Sequence, residues 1–416
     1  MLAGCSSIRD GFSKEEVLEG ERSLLVKDTD SEQSAGIGGV SISAMRLNAD
    51  WSQPGGALSN APGNLSYSGS LSRIWSTSVG SVKPKRSRTA SSPIVHQGAV
   101  YILDTKGIIS ATSLSTGGKL WNANIAPIGE KSSVTGGGLA ASGGILFAST
   151  AYGELVALDA SSGNVVWTRA LGESARSAPT AGEGLVVVTT ASNKVLAYKT
   201  ANGAEAWEFR GIPEKAGLIH AGSPAISSGT VIVPFSSGEI IALEASSGNL
   251  RWSDTLVRSG KRFALSGFSD ISGNPVVNSG VVYAGSISGR FVADSIGGGS
   301  RLWTKNYTSV DSPALSGNTL FITDNTGLLL AVSRETGEIR WSTKLPMESR
   351  EKWGGPLLAG GVVWVGSNKG RFVGVKAETG AIELTTSLGS PVLVPPIVAS
   401  GTLLILTQNG RLTAYK

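Results

Sequence analysis

Short apolar runs of four to six residues, broken by glycine, alternate with polar turns along most of the chain. In one stretch LAAS leads to Gly143-Gly144, ILFAST to Tyr152-Gly153 and ELVALD to Ser162-Gly163, and NVVW closes the group at Trp167. Runs of Val, Ile, Leu, Thr and aromatic residues at this length predict strands, and the glycines supply the positive φ that tight hairpins need. No part of this region sustains an apolar period of about 3.6 residues, so helices are not expected there.

The group repeats. ELVALDASSGNVVW ending at Trp167, EIIALEASSGNLRW ending at Trp252 and LLLAVSRETGEIRW ending at Trp341 are the clearest copies; weaker ones end at Trp121, Trp207, Trp303 and Leu384, the last without its aromatic ring. Successive ends are 46, 40, 45, 51, 38 and 43 residues apart. A period of about 40–50 residues with four short strands per unit predicts a β-propeller. The final unit, PPIVASGTLLILTQNGRLTAYK, supplies three strands and stops at Lys416, whereas RIWSTSVG places Trp75 46 residues before Trp121 with no strands of its own ahead of it. The early segment is expected to complete the last blade, so that no sheet edge stays open at the seam. The predicted fold is all-β: eight four-stranded antiparallel blades over residues 71–416, closed by an N-terminal strand. A Trp recurring once per unit is expected to pack between neighbouring sheets, where a large flat ring buries much apolar area.

Composition adds limits. The 56 glycines match the turn count of such a ring, and no apolar run approaches the roughly 18 residues of a membrane span. The net charge of +5 is concentrated in KPKRSR at 83–88 and in Arg258, Lys261 and Arg262. Both groups follow an outer strand and precede the next inner strand, which places them on one face, suited to an acidic partner or anionic headgroups. Nucleic acid is not expected, because no aromatic interleaving or recognised module accompanies the charge.

Cys5 is the single cysteine, which excludes an intramolecular disulfide. LAGC at 2–5, followed by Ser6 and Ser7, resembles a lipobox, in which cleavage before the cysteine precedes its acylation. Residues 1–4 read as the remnant of a signal peptide, and the missing charged and apolar stretch is expected upstream of Met1. Residues 5–70 read as a lipid-anchored tether and N-terminal extension: a short amphipathic helix over 14–25, flexible composition over 29–39 and 53–70, and NADWSQPGG at 48–56 lying on the ring. Candidate chemistry is sparse. His96 and His220 fall in different units with no second ligand at metal spacing and read as surface or capping residues. DTDSE at 28–32 begins like a calcium loop but lacks the required Gly and closing Glu. No catalytic, metal or cofactor residue is assigned, and an enzyme is not expected.

The run ALDASSGNVVW resembles the quinoprotein (PQQ) repeat, which is shared by PQQ-dependent dehydrogenases and by the BamB family of lipoproteins in the outer-membrane β-barrel assembly (BAM) machinery. The lipobox, IWSTSVGS at 74–81 and eight units running to the C-terminus resemble BamB, over residues 72–416. The alternative, a dehydrogenase holding quinone over calcium, would require a ligand set, and often a vicinal Cys pair, that this chain does not match. The BamB resemblance implies a periplasm-facing scaffold, lipid-anchored in the outer membrane, that binds BamA periplasmic domains, other BAM components and nascent β-barrel proteins. It also implies a docking surface on the loops entering the fourth and fifth blades. In AGLIHAGSP, Leu218 matches the family's Leu and Ile219 replaces its Arg, with His220 or Lys215 to compensate. In GFSDISGNP, Asp270 matches the first acid and Ser272 replaces the second; Arg258, Lys261 and Arg262 would supplement them.

Overall fold

Ile94–His96, Ala99–Leu103, Ile108–Ser113 and Lys119–Asn124 form the first antiparallel blade, and six more follow at 137–170, 180–210, 225–255, 276–305, 314–344 and 353–387. The computed structural model describes residues 39–79, 91–129, 136–213, 222–257, 271–309, 311–392 and 394–416, all within the unit Ser34–Lys416. Blade eight takes Ile397–Ala399, Thr402–Thr407 and Arg411–Tyr415 from the C-terminus and its outer strand, Arg73–Ser78, from the N-terminal side. Trp75 pairs with Ala414 and Ser78 with Arg411, so the ring closes at the predicted seam. No helix occurs among the described residues.

Within each blade burial decides strand character. The middle strands are almost wholly buried, as in Leu185–Thr189 and Lys194–Lys199, and read as continuous apolar runs. Outer strands alternate, as in Val165–Ala170, because only one face meets a neighbour. These strands extend past the tryptophan that seemed to end them: Glu154 pairs with Ala170, three residues beyond Trp167. A bulge just before the tryptophan, between the partners Ala157 and Leu158, turns the ring toward the adjoining blade.

Each ring then packs on the next blade's turn. The Trp167 indole N–H donates to Thr200 O, that of Trp207 to Ala245 O and that of Trp252 to Ile296 O. The facing turn glycine is in van der Waals contact with the ring: a Cβ on Gly203, Gly248 or Gly299 would lie 2.6–2.7 Å from the indole carbons. Trp75 closes the circle by bonding Leu114 O and covering Gly117 in blade one. The packing role expected for the recurrent Trp is observed. Leu384 becomes intelligible as well. Its outward neighbour is blade eight, whose third and outer strands come from opposite ends of the chain, so no glycine turn awaits an indole. Hydrophobic clusters accordingly straddle pairs of blades, one joining Tyr101 and Ile109 to Leu146 and Val156, and the seam cluster joining blades seven, eight and one.

The segment before the first strand departs from expectation. Read by composition as flexible over 53–70, it is instead a strap whose polar groups meet the inner strand of every blade. Trp51 exchanges both backbone bonds with Val95, and Ser52 O accepts from Ala141 N. Gln53 accepts from Ala181 N and donates to Ala181 O at 2.8 Å. Leu58 O and Ser59 O accept from Ile226 and Val277. Ser41 and Ser43 bond the hairpin at 316–318, Leu65 bonds Leu358 O, and Asn48 bonds Val398 O. Inner strands present unpaired backbone groups to the axis, and the strap satisfies them. The packing expected of 48–56 is therefore observed, and it extends through the rest of the strap.

Candidate docking face and central channel

Two ends of the ring differ. The strap crosses the end that carries the inner hairpins, at Gln97, Gly317, Gly360 and Ser400. The other end carries the segments that lead from one blade's outer strand into the next inner strand. Between them lies an axial cavity of about 180 Å³, walled by strap residues including Trp51, Pro54 and Asn60 and by the starts of the inner strands of all eight blades.

Five of those starts, in blades one, three, four, five and seven, share a short rule: a small residue, one more residue, then Pro, as in Ser91-Ser92-Pro93, Gly222-Ser223-Pro224 and Gly354-Gly355-Pro356. Blade two has Gly136-Gly137-Gly138 without the Pro, blade eight has Val394-Pro395-Pro396, and blade six keeps the Pro but puts a carboxylate at the small position, in Asp311-Ser312-Pro313. Asp311 is the only charged residue among the described residues lining the cavity. Its Oδ2 accepts from Gly355 N at 3.1 Å. Burial pushes the carboxyl up to about 6, against the lowering effect of the Gly355 N–H. On the strap, Asn60 holds φ +54° and donates through Nδ2 to Pro275 O and Pro224 O.

The starts are also tied to one another. Ser223 N donates to Asn274 Oδ1 at 2.7 Å, and Asn274 N donates to Ser312 Oγ at 2.8 Å. Gly222 and Gly273 permit this, because a Cβ on Gly222 would lie 2.2 Å from Gly273 O. The roots of the segments entering blades four and five are thus fastened side by side although about fifty residues apart in sequence. Of the predicted docking residues, Ser272 is described and sits at this junction, on the cavity wall. Leu218, Ile219, His220, Asp270, Arg258, Lys261, Arg262 and the alternative Lys215 lie outside the described residues, as do Cys5, the helix at 14–25 and the acidic run at 28–32.

A family profile described as outer membrane protein assembly factor BamB matches residues 65–134, 109–343 and 344–416. The chain belongs to the BamB family. Among curated relatives, the BamB proteins of Shewanella oneidensis and Yersinia pestis are 25% and 26% identical over 166 and 168 residues, 40% of this chain in each case. The aligned stretch spans 42% and 43% of those relatives' own lengths. In structure, BamB from Moraxella catarrhalis superposes with a TM-score of 0.72 at 20% identity, over 83% of this chain and all of that one. A quinohemoprotein alcohol dehydrogenase from Pseudomonas putida HK5 gives 0.69 at 14% identity, over 89% of this chain and 80% of that one. At such identities these likenesses establish the fold.

The described residues of this BamB-family ring do not fit a calcium-bound quinone. Hard divalent cations are held by several oxygen ligands, usually including more than one carboxylate. The described cavity wall offers one, and no group of three His, Cys, Asp or Glu side chains is placed to hold a metal ion among the described residues. His96 is not on the surface: it is buried, with Nδ1 2.8 Å from Asp50 Oδ2 of the strap, while Asp50 Oδ1 accepts from Gln97 N. It latches strap to blade one. A second buried acid lies off the axis. Asp294 of blade five is fully buried, 3.5 Å from Arg301 Nε, and Arg301 also bonds Asp254 of blade four. Burial first, and then the neighbouring Asp254 charge, hold the Asp294 carboxyl well above the usual range. Sequence reading missed Asp294 because its partners lie in other strands, and missed Asp311 although its break in the small-x-Pro rule was visible.

Proposed function

We propose that this chain is a non-enzymatic scaffold of outer-membrane β-barrel assembly, held to the outer membrane by a lipid on Cys5 and facing the periplasm. Its docking face for BamA periplasmic domains, and through them for other BAM components, is the end of the ring opposite the strap. The observation that carries this reading is the fastening of the segment roots at Ser223, Asn274 and Ser312, which supports a preorganised platform for the loops entering blades four and five. Family membership supplies the biological context. Outer strands add a route for nascent barrel segments: each leaves one edge unpaired, and Leu120, Val165, Val166 and Leu302 are exposed apolar residues on them. An extended segment could add a strand there, with alternate side chains meeting those residues. Membrane anchoring raises the effective concentration of two weakly held partners.

A pull-down from membranes tests the docking assignment. The intact chain should recover BamA, and Leu218→Ala combined with Asp270→Ala should reduce recovery by about tenfold. Undiminished recovery by the double variant would remove the assigned residues, and no recovery by the intact chain would remove the scaffold role.

A further inference from the structure

Three neighbouring blades carry positive charge on their outer strands with no acid beside it. Those of blades eight, one and two, Arg73–Ser78, Lys119–Asn124 and Val165–Ala170, each hold one cation and neither Asp nor Glu. The three are consecutive around the ring: Trp75 bonds Leu114 O of blade one, and Trp121 bonds Ala160 O of blade two. Arg73 and Lys119 are exposed at the heads of their strands, and Arg169 spends its guanidinium on the carbonyls of Gly203 and Asn202. The third strand of blade two adds Glu154 and Asp159, of which Asp159 is committed to Ser161 and Ser162 in its own turn.

Elsewhere the outer-strand cations are mostly matched. Arg210 pairs with Glu208, Arg251 with Glu244, Arg301 with Asp254 and Lys305 with Glu338. Blade six gives Arg340 to Gly39 O of the strap, and blade seven carries Glu383 and no cation. A second feature marks the same three blades. Each outer strand bulges beside its tryptophan, and the extra residue there is aliphatic: Ile74, Leu120 and Val166, which are 47%, 54% and 50% exposed. At that position blades three, four, six and seven have Ala206, Arg251, Arg340 and Glu383, and blade five has Leu302 beside cations already paired.

The backbone decides what kind of partner fits. Each outer strand is the last of its sheet and leaves one line of N–H and C=O groups open. Unpaired backbone groups are costly in hydrocarbon, which argues against a bilayer on this rim. An extended polypeptide completes the ladder with its own backbone.

We propose that the rim of blades eight, one and two is the arc on which extended segments add to the ring, and that the segments it selects alternate apolar with acidic residues. Their apolar side chains cover Ile74, Leu120 and Val166, and their carboxylates meet Arg73 and Lys119, with Arg169 adding to the field. This rests on the strand-addition route proposed above and names the edges that carry it and the chemistry they select.

Fluorescence anisotropy of a labelled short peptide alternating Val and Glu, titrated with the full chain at fixed low ionic strength, is the direct test. Comparison probes are the same peptide with Lys or Gln in place of Glu, the Val-Glu peptide N-methylated at alternate residues, and vesicles of phosphatidylglycerol and phosphatidylcholine. The Val-Glu peptide should bind saturably, about tenfold tighter than the Val-Lys peptide, and more weakly as salt is added. N-methylation removes backbone donors while keeping the charge, and should cost about tenfold. Arg73→Glu combined with Lys119→Glu should cost about tenfold as well, whereas Lys344→Glu on blade six should cost nothing. The peptide comparisons use the unaltered chain, so they decide the matter even if the double variant does not fold. Equal affinity for the three peptides would overturn the acidic preference and leave strand addition standing; no binding of any peptide would remove both. Full binding of the N-methylated peptide would overturn strand pairing, and an equal loss in Lys344→Glu would overturn the arc. Binding to the vesicles that the double variant abolishes, with no peptide bound, would reassign the rim to a membrane surface.

Discussion

Asp294 shows how much one residue can depend on its neighbours. Its carboxyl is buried between blades four and five, where Arg301 is shared with Asp254. In the unfolded chain it titrates near the ordinary value of 3.8, and in the folded ring well above it. The folded state therefore binds a proton that the unfolded state has already lost. That contribution is complete below the unfolded pKa and is lost as pH rises through the raised folded value. Asp294→Asn mimics the protonated form. It should match the parent in denaturant midpoint at about pH 5 and exceed it at about pH 8; a variant that loses stability equally at both would show that the charged form is the one the fold requires. None of this was legible in sequence, where Asp294 reads as one more polar turn-side residue.

At the scale of the element, the Ser/Thr-Gly turn does two jobs. Gly248 holds φ +73°, and a Cβ there would lie 2.7 Å from the Trp207 indole, whereas Gly229 holds φ +70° with nothing within 4 Å. Both glycines are required by the backbone, but one is also required by packing. Alanine at 229 should cost about 1–2 kcal/mol from the left-handed conformation alone. Alanine at 248 should cost a further ~1–3 kcal/mol for displacing a close-packed ring. Urea unfolding of the two variants separates the terms, and equal losses would deny the inter-blade contact its part. The turn and the Trp were both legible as a repeating pattern because each recurs at a fixed offset. Their meeting was not, since the partners belong to successive blades, and the loss of the ring at Leu384 had no explanation until the seam beside it was seen.

Over the whole molecule, two devices join what a repeat chain leaves separate. Blades in a ring touch only their neighbours, so their stability is close to a sum of blade and interface terms. The strand Arg73–Ser78 ties the two ends of the chain together, and the strap reaches all eight inner strands. Removing residues 39–66 while retaining Arg73–Ser78 should keep the blades but lower the urea midpoint and flatten the transition, because nothing then couples distant blades. Unfolding with unchanged midpoint and slope would mean that the strap is a passenger. The strap also makes the ring one-sided, and the docking face proposed above is the end it leaves open.

The amino-acid sequence by itself determined the strands, the glycine turns, the number of blades and the closing strand, because each is written in local alternation or in a period that survives without coordinates. Only the tertiary structure decided where the strap lies, that Asp311 and Asn60 share a cavity, and that Asp294 shares Arg301 with Asp254. The strap has no repeat, and its Gly, Pro and Ser content resembles a tether. It is ordered by backbone groups that become unpaired only once eight inner strands surround an axis, and no window of sequence contains that axis.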